Sequence, residues 1–260
     1  MLKYIQKYSP YQWLHFMVAA LLFMAVFFVG LADNGHAQEL NLNFGEGGGS
    51  VTARLLQLIA VITVLSLVPS LLVMMTSFTR LVIVFSMLRT AMGTPTTPPN
   101  IVMISLALFL TFFIMEPTFQ KIFDTSFSPL LNEEISEQEA FERGIIPLHE
   151  FMRAHVREED LRLFADIAGV DAIEGNIEDT PMRLLVPAFM LSEIKRAFEI
   201  GFLLFIPFLV IDMVVASILM SMGMMLLPPI VISLPFKIIF FVMVDGWSLV
   251  VGSLVKGFQI

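Results

Sequence analysis

Residues 213–237 read MVVASILMSMGMMLLPPIVISLPFK, and no charge interrupts them before Lys237. The first part, Met213 to Leu227, is apolar and free of breakers apart from Gly223, which predicts a helical arm. Pro228-Pro229 stops that arm, and a second arm is expected from Ile238 to Val255, after Pro235. At 1.5 Å per residue the first arm is only about 22 Å long, against about 30 Å for a bilayer core. A proline-turned hairpin whose arms span poorly points to helices packed on protein. Met220, Met222, Met224 and Met225 fall just before the prolines. They are read either as adaptable core filler or as deformable side chains at a helix break, able to seal a pore and yield to a passing chain.

The rest of the sequence has the same membrane character. Of 260 residues 57% are hydrophobic and 15% charged, and the mean hydropathy is +0.84. Soluble domains carry about 25% charged residues. The net charge of -8 and the absence of basic clusters exclude nucleic-acid binding. With no cysteine, disulfides, thiolate metal sites and Cys nucleophiles are excluded together. The predicted fold class is all-α.

Charge divides the chain. Residues 51–115 form a first apolar block, with a strong helix from Leu55 to Met75, a proline at 69, and a shorter apolar run from Ile101 to Met115. Residues 116–183 hold 16 of the 23 acids and 6 bases, and are expected to form an acidic helical domain. There Ser136 and Glu139 suit a capping box. Leu148, Phe151, Met152 and His155 share one helical face, and Leu161, Phe164, Ala165 and Ala168 another. Residues 184–260 form the second apolar block with the Met-rich hairpin. At the start, Lys3 and Lys7, an uncharged run and Gly35-His36-Ala37 predict a signal peptide over 1–37, cleaved between Ala37 and Gln38. Residues 38–50, with three consecutive glycines, read as a flexible leader. Arg80 and Arg89 placed on the cytoplasmic side put the acidic domain in the periplasm.

No catalytic, metal or cofactor site emerges. His149 and His155 are six apart, which is not a zinc spacing on one helix face, and no phosphate loop or nucleophile elbow occurs. The informative residues are lone charges in apolar text: Glu193, Lys237, Asp212 and Asp245. A charge at bilayer depth costs about 2.5 kcal/mol or more unless paired or wet. Glu193 and Lys237 have opposite sign and are expected to pair, preferably between chains.

Several ordered fragments carry a resemblance. They are Thr76-Ser77-Phe78-Thr79-Arg80, Gly93-Thr94-Pro95, Pro98-Pro99-Asn100, Pro187-Ala188-Phe189, Ala197-Phe198-Glu199-Ile200-Gly201-Phe202, Met222-Gly223-Met224-Met225, Leu234-Pro235-Phe236-Lys237 and Asp245-Gly246-Trp247. In number and order they resemble the FliP/SctR family of type III secretion export-gate membrane proteins, over essentially Val51 to Gly257. The resemblance implies helical hairpins assembling into a pentameric ring, completed by FliR and surrounded by FliQ. The ring works with FlhA, FlhB and the basal-body ring at the bacterial inner membrane, and passes unfolded flagellar export substrates. It implies a methionine gasket at Met224, Met225 and the next position, here Leu226, and a subunit-to-subunit ion pair between Glu193 and Lys237. Flagellar export is the expected role. The injectisome counterpart, a secondary transporter and, through Asp212 and Asp245, an intramembrane protease are the alternatives.

Overall fold

Leu81, Val84, Phe85 and Leu88 recur at helical spacing and are completely buried. They form the inner face of α1 (Phe78–Ala91), the hub of the molecule. A computed structural model describes residues 73–169, 180–224 and 227–258, with isolated positions between 58 and 70. The signal peptide, its Ala37–Gln38 cleavage site, the leader, most of the run from Leu55 with Pro69, and both Met225 and Leu226 lie outside the described residues. Among those described the chain is all helical, with no strand.

After α1, Gly93 takes φ +77° and reverses the chain. Arg89 then fastens the proline-rich loop by donating from Nη1 to the Pro98 carbonyl (3.2 Å) and to Asn100 Oδ1 (2.5 Å). Next come α2 (Asn100–Ile122), a π-helical segment (Phe123–Phe127) and the short α3 (Ser128–Leu131). These three join as one apolar rod of 32 residues, about 48 Å at 1.5 Å per residue. The apolar run expected to end at Met115 therefore underestimates the helix. Glu116 and Lys121 interrupt the hydropathy but not the backbone, so the boundary drawn at 115/116 is one of composition only. The π segment turns Ser126 inward, where its hydroxyl donates to the Ala140 carbonyl at 2.6 Å.

The acidic portion supplies α4 (Glu137–His155) and α5 (Glu158–Ile167). Ser136 Oγ accepts from the Glu139 N–H, as the capping pattern predicts. Met152, Val156 and Leu161 pack on Leu185, Ala188 and Phe189 as a small core of their own. The main core gathers Leu81, Phe85, Leu110, Ala197, Phe208, Phe241, Val250 and Leu254 around α1.

The second block differs most from expectation. The first arm is not a 15-residue piece. It is the end of α6 (Met182–Ser221), a 40-residue helix that runs through Pro187 and Pro207, about 60 Å long. α7 (Pro229–Met243) starts with proline at its first position, where the missing N–H costs nothing, and carries Pro235 inside it. The helix breaks at Asp245, which has φ +50°, and α8 (Gly246–Lys256) continues at 61° to α7. The Phe241 ring lies against Gly246, where any Cβ would collide with it.

Two helices, Asn100–Leu131 and Met182–Ser221, are long and apolar enough to cross a membrane, and the bent α7–α8 pair makes up to three. Only 11% of the most apolar window of α6 is buried within the chain. At about 25 cal/mol per Å², a surface with Phe202, Leu203, Leu209 and Met213 more than half exposed requires lipid or protein cover.

Gly201 of α6 sits against the Met87 side chain of α1. Gly201→Leu is expected to wedge the two helices apart and cost about 1–3 kcal/mol. A melting temperature equal to wild type would show that the interface accommodates the bulk. Met87→Ala in the same chain should recover part of the loss.

Candidate functional site

Four charges that look misplaced along α6, Glu193, Lys195, Glu199 and Asp212, each have a partner, and these partners fix how the helices meet. Arg80, from the first turn of α1, makes a two-pronged contact with Glu193. Its Nε donates to Oε2 at 2.8 Å and its Nη2 to Oε1 at 2.5 Å. The side chains are 3% and 0% exposed. This fork geometry satisfies both carboxylate oxygens, the condition under which a buried ion pair is tolerated. The other face of the guanidinium lies 3.6 Å from the centroid of the Phe258 ring.

One turn away, buried Asp160 of α5 accepts from Ser192 Oγ at 2.8 Å and is bound by Lys195. Burial pushes the Asp160 carboxyl up, but the hydrogen bonds from Lys195 and Ser192 and the charges of Lys195 and Arg157 outweigh it, so it lies below its ordinary value. Arg157 completes the belt, donating its backbone N–H to Ser192 Oγ at 3.0 Å and pairing with Glu199 at 2.8 Å. The start of α5 is thus clipped to α6 by matched charges.

A second pair lies further along. Lys237 of α7, buried, donates to Asp212 Oδ2 at 2.6 Å and to the Ala91 carbonyl at 3.3 Å. Ser233 Oγ donates to the other oxygen of Asp212 at 2.5 Å. Ala91 ends α1, so Lys237 also caps a helix C-terminus where cations are favoured. The result is a three-helix joint of α1, α6 and α7.

Within the chain the expected meeting of Glu193 and Lys237 does not occur. Glu193 is held by Arg80 and Lys237 by Asp212. Residues 193 and 212 stand on one continuous helix, so the two charged levels are about 28 Å apart at 1.5 Å per residue. Arg80 is buried and neutralised by Glu193 rather than lying in a basic loop. Asp212 is partly buried, whereas Asp245 is exposed at the α7–α8 turn. Its left-handed backbone, which Asp adopts more readily than most residues, rather than its charge defines its place. Arg80 as the partner of Glu193 is the residue the sequence reading missed. The available signal was a single cation, Arg80, in the otherwise uncharged text between Leu55 and Leu88.

The methionine break has a defined backbone. Gly223 takes φ +72°, its N–H bonds to the Met220 carbonyl at 3.1 Å, and the Met224 N–H bonds to the Leu219 carbonyl at 3.0 Å. This is a Schellman ending, which needs glycine at the left-handed position. Met220, Met222 and Met224 are 62%, 61% and 43% exposed. Within the chain they project outward rather than fill a core. Behind them an open apolar cavity of about 460 Å³ separates α6 from α7, lined by residues including Val214, Ile218, Ile232 and Phe236. His149 and His155 face separate backbone carbonyls, of Thr180 and Phe151.

The chain is similar to known proteins across this whole arrangement. It is 56% identical over 220 residues to the flagellar biosynthetic protein FliP of Caulobacter vibrioides, covering 85% of this chain and 82% of that protein. It is 54% identical over 214 residues to the FliP of Agrobacterium fabrum, covering 81% and 86%. It is 54% identical over 202 residues to that of Bacillus subtilis, covering 78% and 91%. The FliP family profile matches residues 61–254, from before α1 to the last turn of α8. The chain belongs to the FliP family.

Proposed function

We propose that this chain is a non-enzymatic channel subunit of the flagellar protein export gate, conducting unfolded flagellar proteins across the bacterial inner membrane. The observation that supports it best is the break between α6 and α7. A 40-residue apolar helix ends in a glycine-dependent turn that presents Met220, Met222 and Met224 outward. Met224, with Met225 and Leu226, forms the constriction. Copies of the chain gather into a pentameric ring with FliR and FliQ, with FlhA and FlhB as further partners. The uncovered apolar surface of α6 provides the area for those contacts. The helices from residues 116–183 face the periplasm, and residues 1–37 serve as the signal peptide.

Unbranched thioethers close a pore without a fixed shape, so a translocating chain parts them at little cost, while a dewetted apolar ring excludes hydrated ions. Replacing Met224 and Met225 by alanine should leave the assembled complex at wild-type yield and raise small-ion leakage across the membrane severalfold. Leakage unchanged in cells that contain normal amounts of assembled complex would sink the gasket.

A further inference from the structure

Three helices and the C-terminal segment meet at a side chain for which the channel has no use. His155 ends α4 and is 5% exposed. Its ring centroid lies 4.6 Å from that of Phe151 and 5.2 Å from that of Phe258. Phe258, in the segment after α8, is the same ring that carries the Arg80 guanidinium. Arg80 is in turn locked to Glu193 of α6. His155 Nδ1 lies 2.8 Å from the Phe151 carbonyl. A carbonyl only accepts, so Nδ1 carries the proton of the neutral ring and Nε2 is left bare. Nε2 is buried and has no hydrogen-bond partner.

A second proton would go to that nitrogen. The imidazolium would then stand beside Arg80 in a closed aromatic pocket. The carboxylate facing it, Glu193, already gives both oxygens to Arg80. On its own helix the ring has the Phe151 carbonyl, and the Phe258 backbone adds a smaller hydrogen-bonding pull toward the charged form, which burial outweighs. Arg157, two residues on, is taken by Glu199. We propose that His155 is an acid-sensitive latch. When neutral it holds α4 and the Phe258 segment closed over the Arg80–Glu193 pair, and when protonated it lets them go. This inference does not depend on the channel reading.

Burial holds the imidazole below its ordinary value; the Phe151 carbonyl and Glu193 pull it up, and Arg80 pulls it down. The folded state therefore binds fewer protons than the unfolded one. The stability is present in full above the ordinary histidine value of about 6.5 and is lost progressively as pH falls below it toward the depressed folded value. Asp160, which lies below its ordinary carboxylate value, keeps its own clip closed in that window.

The test is amide hydrogen exchange on the full chain in mild detergent, corrected for the intrinsic pH dependence of exchange. Between about pH 7.5 and 5.5, opening of amides in 137–168 should rise severalfold, because the lowered His155 value makes the closed state lose stability as pH falls, while α2 stays unchanged. His155→Phe keeps the ring stack and removes the titration, so its opening should be flat over the same range. No acid-induced opening in wild type, or the same opening in His155→Phe, would overturn the latch. If His155→Phe does not fold, NMR titration of the wild-type ring decides. A ring still neutral below the ordinary histidine value supports the latch, and one protonated at or above that value overturns it.

Discussion

Glu193→Ala should leave almost no assembled protein. The substitution strands the Arg80 guanidinium in a site where both partners are at most 3% exposed, and uncompensated buried charges of this kind cost about 3–5 kcal/mol. That is a large share of the about 5–15 kcal/mol that holds a typical domain. The damage should extend beyond the pair, because Arg80 also stacks on Phe258 and Glu193 neighbours Ser192, which anchors Asp160. The measurements are the amount of folded chain recovered in detergent and its melting temperature. Charge exchange identifies the partner. Glu193→Arg with Arg80→Glu should restore part of the loss, and Glu193→Lys with Lys237→Glu should restore none. Rescue by the second combination but not the first would return Lys237 of a neighbouring copy as the true partner, as the family resemblance implies.

At the other joint the effect is large but smaller. Asp212→Ala strands Lys237, whose side chain is 6% exposed, yet the ammonium keeps the Ala91 carbonyl. A loss of about 2–3 kcal/mol is expected, within the range for a buried charged donor left without its main acceptor. Lys237→Met should cost less, since Asp212 is 36% exposed and still receives the Ser233 hydroxyl. The double change Asp212→Leu with Lys237→Met should lie close to wild type in melting temperature, because an apolar pair of similar volume removes both desolvation penalties. A cycle in which the two single losses simply add would show that the residues act independently.

Much of this was legible before any coordinates. The all-helical class follows from long uncharged runs, and the Ser136 cap and most of the α4–α5 faces follow from spacing, although Ala168 lies exposed past the end of α5. The glycine at the methionine break is likewise a local requirement. Helix lengths were not legible, because a hydropathy run ends at its first charge whereas a helix does not. Glu116 and Lys121 ride on the α2 rod, and Asp212 lies within α6. Asp245 was misread for a related reason. A lone acid in apolar text resembles a buried charge, and only the backbone shows that it occupies an exposed left-handed turn.

The amino-acid sequence by itself determined that the chain is helical and membrane-like, where it turns, and which charges stand alone among apolar residues, since these are properties of neighbours along the chain. Only the tertiary structure decided which charges belong together. Arg80 reaches Glu193 across 113 residues, and Lys237 joins Asp212 across 25. Electrostatic pairing depends on distance in space and on burial. The packing of α1 against α6 brings the first pair within hydrogen-bonding reach and that of α7 against α6 brings the second, which keeps Glu193 and Lys237 far apart.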